Sequence, residues 1–226
     1  MTQRWRIGAA LWVASAVLLP IQLVVAVQWP QGYSVTANAI SDLGVTICGL
    51  FTEGGQPREV CSPWFAVFNI GMIVSGVLTA LGAILLHGRW SSRSGRAGTI
   101  LMAVVGACVV VVGFAPWDLQ PGLHDSAAAV QALAQWVAMI LLAVSAGRGL
   151  FRGLTIATVI VSVIGFAAFL LALDGAAIPG LSFGIAERLS FDTLTVWTAA
   201  VGVAVLAQRG RHGAPREFGA SSEPRP

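Results

Sequence analysis

The sequence contains no lysine; its thirteen basic residues are all arginine. Schiff-base chemistry with retinal or pyridoxal needs a lysine amine and is excluded. Charge of either sign is scarce, at 10% of 226 residues against about 25% in soluble domains. The outer surface is therefore expected to face lipid. A net charge of +3 is too small, and too tied to membrane flanks, to call for nucleic acid as a partner. HExxH and a phosphate-binding glycine loop are absent, and no metal or other cofactor is expected.

What the chain has is apolar length, with 56% hydrophobic residues and a mean hydropathy of +0.80. Six apolar runs stand out, at about 7–27, 64–86, 98–115, 126–147, 154–173 and 187–207. A spanning helix needs about 20 such residues. The expected fold is therefore all-α, a six-transmembrane-helix bundle over residues 1–207, followed by a disordered cytoplasmic tail, 208–226, rich in Pro, Gly and Ser. The first run is too long for a signal peptide, and no small-residue cleavage site follows it, so it reads as a retained helix.

Arginine orients the bundle. Eleven of the thirteen fall before the first span, between the second and third, between the fourth and fifth, or after the last. Only Arg58 and Arg188 fall on the other side, with eight of the ten acids. Positive flanks stay inside, so both termini are expected in the cytoplasm. Trp29, Trp64 and Trp117 would mark the outer interface, and Trp5 and Trp90 the inner. No charge is expected in the middle third of any span, which disfavours a charge-coupled pump.

The outer loops carry the polar residues. "NAISDLG", 38–44, reads as a short helix over 36–43 with Thr36 at its start and Gly44 at its end. Asn38 and Asp42 would lie at i and i+4, with Ser41 beside them. Two readings stand, a packed turn or part of a site. Cys48 and Cys61 share this loop and are expected to form a disulfide, while Cys108 reads as a small buried hydrophobe. In the next loop Asp118 and His124 would face each other, with Asp125 at the following helix start. A His paired with a carboxylate can act as an acid or base; it can also simply orient a loop. Glu187 and Arg188 open the last span, and Arg188 is expected to reach Asp42, Asp118 or Asp125. Below His124, the residues Ala128, Gln131 and Gln135 form a small and polar stripe on one helix face. Gln22 and Asn69 add amides at depth, and Gly71, Ser75 and Thr79 read as packing.

Three of these features occur together in one family. A six-span chain with N-x-I-S-D-L-G after the first span, Pro116-x-Asp118 and His124 around the third-to-fourth turn, and G-x-x-E-R at 184–188 resembles the domain-of-unknown-function 998 family (DUF998) of bacterial membrane proteins. The resemblance covers nearly the whole chain. It implies a site of Asn38, Ser41, Asp42, Asp118, His124, Glu187 and Arg188, and assigns it no activity. A more distant resemblance, to intramembrane metal hydrolases of the ceramidase type, lacks the several histidines that group requires.

Three functions follow from these residues. The first is an outward-facing pocket that binds a lipid headgroup or small polar ligand, in transport or envelope lipid handling. The second is a metal-independent hydrolase or transferase on a lipid-linked substrate, with His124 as base and Asp42 or Glu187 as acid. The third is a structural or partner-binding subunit whose polar cluster only ties its loops together. Membrane lipids are the expected partners in each.

Overall fold

The computed structural model describes residues 2–52, 57–147, 149–176 and 178–208. Of the expected disordered tail, 209–226 lies outside the described residues. Among the described residues six helices are long and apolar enough to cross a membrane: α1 (Gln3–Ala26), α2 (Phe65–Arg89), α3 (Arg93–Phe114), α4 (Pro121–Ala146), α5 (Leu150–Leu173) and α6 (Phe183–Ala207). They overlap the six apolar runs, but all except α2 start four or five residues before them. Those first turns hold Ser, Arg, Gly, Pro and Asp, which hydropathy discounts and a helix start accepts.

The earlier start of α6 has a consequence. Asp192 becomes the tenth residue of a 25-residue helix, roughly 14 Å along it. The expectation that no charge lies in the middle third of a span is therefore overturned at Asp192.

In the bundle α2, α3 and α4 pack in sequence order, α1 lies against α2 and α6, and α5 lies mainly on α6. The α2–α3 seam is close because glycines meet there. A Cβ on Gly76 would stand 2.6 Å from the Gly106 carbonyl oxygen. Within α1 the residues Ser15–Val17 form a 3-10 turn. Pro20, four residues beyond Ala16, has no N–H to donate and crowds that carbonyl. The adjacent Ser15 carbonyl accepts the Ser75 hydroxyl at 2.8 Å, so Ser75 packs and hydrogen-bonds at once. α5 is the least covered helix and turns Leu154, Ile160 and Ile164 outward, as a lipid-facing span would. Cys108, expected to be buried, is only half-buried.

The long loop after α1 closes one end of the bundle, called here the loop end. It contains a hairpin absent from the sequence expectations, β1 (Gly49–Phe51) antiparallel to β2 (Arg58–Val60). Cys48 and Cys61 are bonded beside it with their Cα atoms 4.2 Å apart. Trp29, expected at the interface, is only 6% exposed. It is folded under the loop, edge-on to Tyr33 at 5.0 Å between ring centroids.

Candidate functional site

The "NAISDLG" segment is not the expected helix. Residues 35–37 form a turn, and a 3-10 helix covers Ser41–Gly44. Ser34, not Thr36, caps the turn: its hydroxyl accepts the Ala37 N–H at 3.2 Å. Asn38 and Asp42 still meet, with Asn38 Nδ2 donating to Asp42 Oδ2 at 3.4 Å. The stronger partner of Asp42 is Arg58, a residue the sequence reading did not single out. Arg58 donates from Nε to Oδ2 and from Nη2 to Oδ1, each at 2.7 Å. The two side chains are 6% and 2% exposed, and the guanidinium lies 4.7 Å from the Phe183 ring centroid. Such a bidentate, buried pair is fixed in geometry as well as charge.

Arg188 forms no ion pair among the described residues, which corrects the expected pairing with Asp42, Asp118 or Asp125. Its Nη1 donates to the carbonyls of Asn38 at 3.0 Å and Gly184 at 2.8 Å, and its Nη2 donates to the Tyr33 hydroxyl. The turn at 35–38 aims its carbonyls at the start of α6, and these meet the guanidinium. Glu187 does the reverse: its carboxylate accepts the N–H groups of Ile40 and Ser41. Gly184 donates its N–H to the Thr36 carbonyl at 2.9 Å. "NAISDLG" and G-x-x-E-R are thus two halves of one joint that seats the loop on α6.

Tyr33 closes this joint, donating to the Ala39 carbonyl at 2.7 Å. Burial pushes its hydroxyl well above the usual value near 10, against the opposing pull of Arg188. A raised pKa in the fold means the joint is fully stabilised below pH 10 and loses that stability as pH rises further. Tyr33 is the sole tyrosine, so absorbance near 295 nm reports it alone. An alkaline titration should show no phenolate in the folded protein at pH 11, and phenolate emerging together with unfolding. Ordinary titration near pH 10 with the fold intact would contradict the buried joint.

Asp118 and His124, expected to face each other, do not pair. Asp118 accepts the Thr46 N–H at 3.0 Å and its hydroxyl at 2.5 Å, tying the two loops together. Its Oδ1 is buried and takes no hydrogen bond among the described residues. His124 Nδ1 lies 2.8 Å from the Ala115 carbonyl. A carbonyl only accepts, so Nδ1 carries the proton and Nε2 of the neutral ring is a free acceptor.

Beneath the joint lies a cavity between α1, α2, α3, α4 and α6. Of the seven site residues inferred from sequence, Ser41, His124 and Glu187 line it; Asn38, Asp42, Asp118 and Arg188 do not. Its wall is divided. Phe68, Met72, Val105, Val109 and Val112 from α2 and α3 are apolar, α1, α4 and α6 contribute Gln22, Gln131, Gln135, Asp192 and Thr198, and α2 adds Ser75 and Thr79. The Ala128, Gln131 and Gln135 stripe all faces it. His124 to Gln135 spans about 16 Å of helix, so the cavity reaches well into the bundle.

Some of these groups serve each other. Gln22 Nε2 donates to Asp192 Oδ1 at 2.8 Å, and Gln135 Nε2 donates to the Leu194 carbonyl and Thr198 hydroxyl, both at 3.1 Å. Others do not. The Gln131 amide, the Ser41 hydroxyl and His124 Nε2 line the cavity with no hydrogen-bond partner among the described residues. Gln131 is only 7% exposed, and a buried amide without partners is costly. Gln22, Asp192 and the depth of the shaft were beyond the sequence reading's site, because the Gln22–Asp192 contact joins positions 170 residues apart.

Fold and site together define a multi-pass membrane protein with an amphipathic cavity under a loop locked onto its last helix. A family model described as "Protein of unknown function (DUF998)" matches residues 13–204, and the chain belongs to that family. Neither the curated proteins nor the solved structures contain a match to it.

Proposed function

We propose that the protein binds a lipid headgroup or small polar ligand in this cavity, with the loop end outside a bacterial plasma membrane and both termini in the cytoplasm. The arginine distribution supports that orientation. One observation carries the binding reading: Gln131, Ser41 and His124 present unpartnered polar atoms to a cavity whose α2 and α3 side is mostly apolar. Ligand sites have this character, largely apolar with a few convergent polar groups. A protein so built holds or passes on an envelope lipid.

The test is to purify the protein in native-lipid particles and identify by mass spectrometry what leaves with it. Wild type should retain a defined lipid or metabolite at least tenfold above its bulk share, and a His124→Leu/Gln131→Leu variant should lose that enrichment. The same bulk lipids in both would overturn the reading and leave the polar cluster as a loop-fixing joint.

A second reading is a hydrolase or transferase on a lipid-linked substrate. It is supported by Ser41 and His124 sharing the cavity wall while Nδ1 is anchored, which leaves Nε2 as a base for the Ser41 hydroxyl. Here Ser41→Ala should stop lipid turnover without reducing retention. Unchanged turnover would end it.

A further inference from the structure

The cavity holds charge of one sign only. Its ionisable lining besides His124 is Glu187 and Asp192, and no arginine is among its lining residues. The nearest arginines are committed elsewhere, Arg58 to Asp42 and Arg188 to carbonyls and Tyr33. A phosphate or carboxylate headgroup would find no arginine inside the cavity, although Arg58, held by Asp42, lines the neighbouring cleft. An ammonium group would meet Asp192, whose Oδ1 is held by Gln22 and whose Oδ2 has no hydrogen-bond partner among the described residues. A carboxylate within a membrane-spanning helix calls for such a partner. Gln131, more than nine-tenths buried and unpartnered, adds an amide oxygen suited to an N–H donor.

Size narrows the class further. Water-molecule centres have about 70 Å³ available in the cavity, where one water needs roughly 10–15 Å³. A small headgroup such as an ammonium fits that space.

The way in is lateral. A cleft shares Ser41, His124, Glu187 and Phe191 with the cavity and runs out between α4 and α5 past Ala129, Phe166 and Leu170. Leu170 is 46% exposed, so the cleft opens where lipid would lie. Deeper in the bundle the Trp136 indole donates to the Ser162 hydroxyl at 2.8 Å across the α4–α5 seam. An apolar tail can lie in this cleft while the headgroup reaches the polar wall.

We propose that the cavity takes an amphiphile with a primary-amine headgroup, admitted from the bilayer through the α4–α5 cleft; this rests on the binding reading above and names its ligand class. The test uses full-length protein in phosphatidylcholine nanodiscs, with native mass spectrometry counting adducts of dodecylamine, dodecyl phosphate and butylamine at pH 7. Wild type should bind dodecylamine at least tenfold more tightly than dodecyl phosphate or butylamine. Asp192→Asn, which keeps the oxygen that Gln22 contacts, should weaken dodecylamine at least tenfold, and Gln131→Leu should weaken it independently should Asp192→Asn not fold. Ala129→Trp should slow uptake at least tenfold.

Equal or tighter binding of dodecyl phosphate, or an unchanged affinity in both folded variants, overturns the amine assignment. If dodecyl phosphate binds and is lost in Gln131→Leu, the cavity reading survives that failure; if folded protein takes up no amphiphile at all, both fail. Butylamine binding as tightly as dodecylamine assigns the amine to a water-soluble source and overturns the membrane route, as does an unchanged uptake rate in Ala129→Trp.

Discussion

Arg58→Met should lower the stability of the folded protein by about 3–5 kcal/mol, because removing one partner of a buried pair strands the other charge. Asp42 would be the stranded group, its side chain 2% exposed. The Ala39 N–H at 2.9 Å and the Asn38 amide at 3.4 Å would remain its only donors among the contacts described. Thermal unfolding in nanodiscs measures the loss, and a double-mutant cycle apportions it. Asp42→Leu should cost less in the Arg58→Met background than alone. It should still cost something, since the Ala39 N–H then loses its acceptor. A charge exchange, Asp42→Arg with Arg58→Asp, should not restore stability, because an arginine at 42 has no oxygen for that N–H. A loss below about 1 kcal/mol for Arg58→Met, the range of exposed pairs, would mean the pair does not hold the loop end together.

This pair also shows where sequence reasoning stops. The six spans were legible because each buries or exposes about 20 apolar residues in a row, a signal local to the helix itself. The stripe of Ala128, Gln131 and Gln135 was legible for the same reason: helical spacing puts those residues on one face, and all three line the cavity. Partners were not. Arg58 stood in a loop with no periodicity, and its match with Asp42 depends on a hairpin of two three-residue strands, too short to show an alternating pattern. Arg188 was expected to seek a carboxylate by charge alone. It met carbonyls because the turn at 35–38, whose dihedral angles no spacing rule supplies, presents its acceptors there. Asp118 likewise met Thr46, 72 positions away. Residue types marked the right end of the molecule. The division between residues that lock the loop and residues that line the cavity required the fold.

Gly184→Ala should be the most damaging single-methyl change at the loop end. The added Cβ would stand 2.3 Å from the Asn38 carbonyl oxygen and 2.5 Å from that of Val35. Both obstacles are backbone, and the Gly184–Thr36 hydrogen bond at 2.9 Å holds that backbone in place, so no side chain can swing aside. Overpacking of this kind costs about 1–3 kcal/mol, and the lifted loop would also stretch the hydrogen bonds to Glu187 and Arg188, each worth about 1.5–3 kcal/mol as a bond to a charged group. The Ile40 and Ser41 amides, which donate to Glu187, are the reporters. Their hydrogen exchange should accelerate by roughly a hundredfold, the equivalent of about 3 kcal/mol of local opening, while exchange in the middle of α3 stays as it is. Gly122→Ala is the matched control: a Cβ there meets nothing within 4 Å, and it should leave Ile40 and Ser41 unchanged. If Gly184→Ala also leaves them unchanged, the close contact with α6 is not what holds the loop in place.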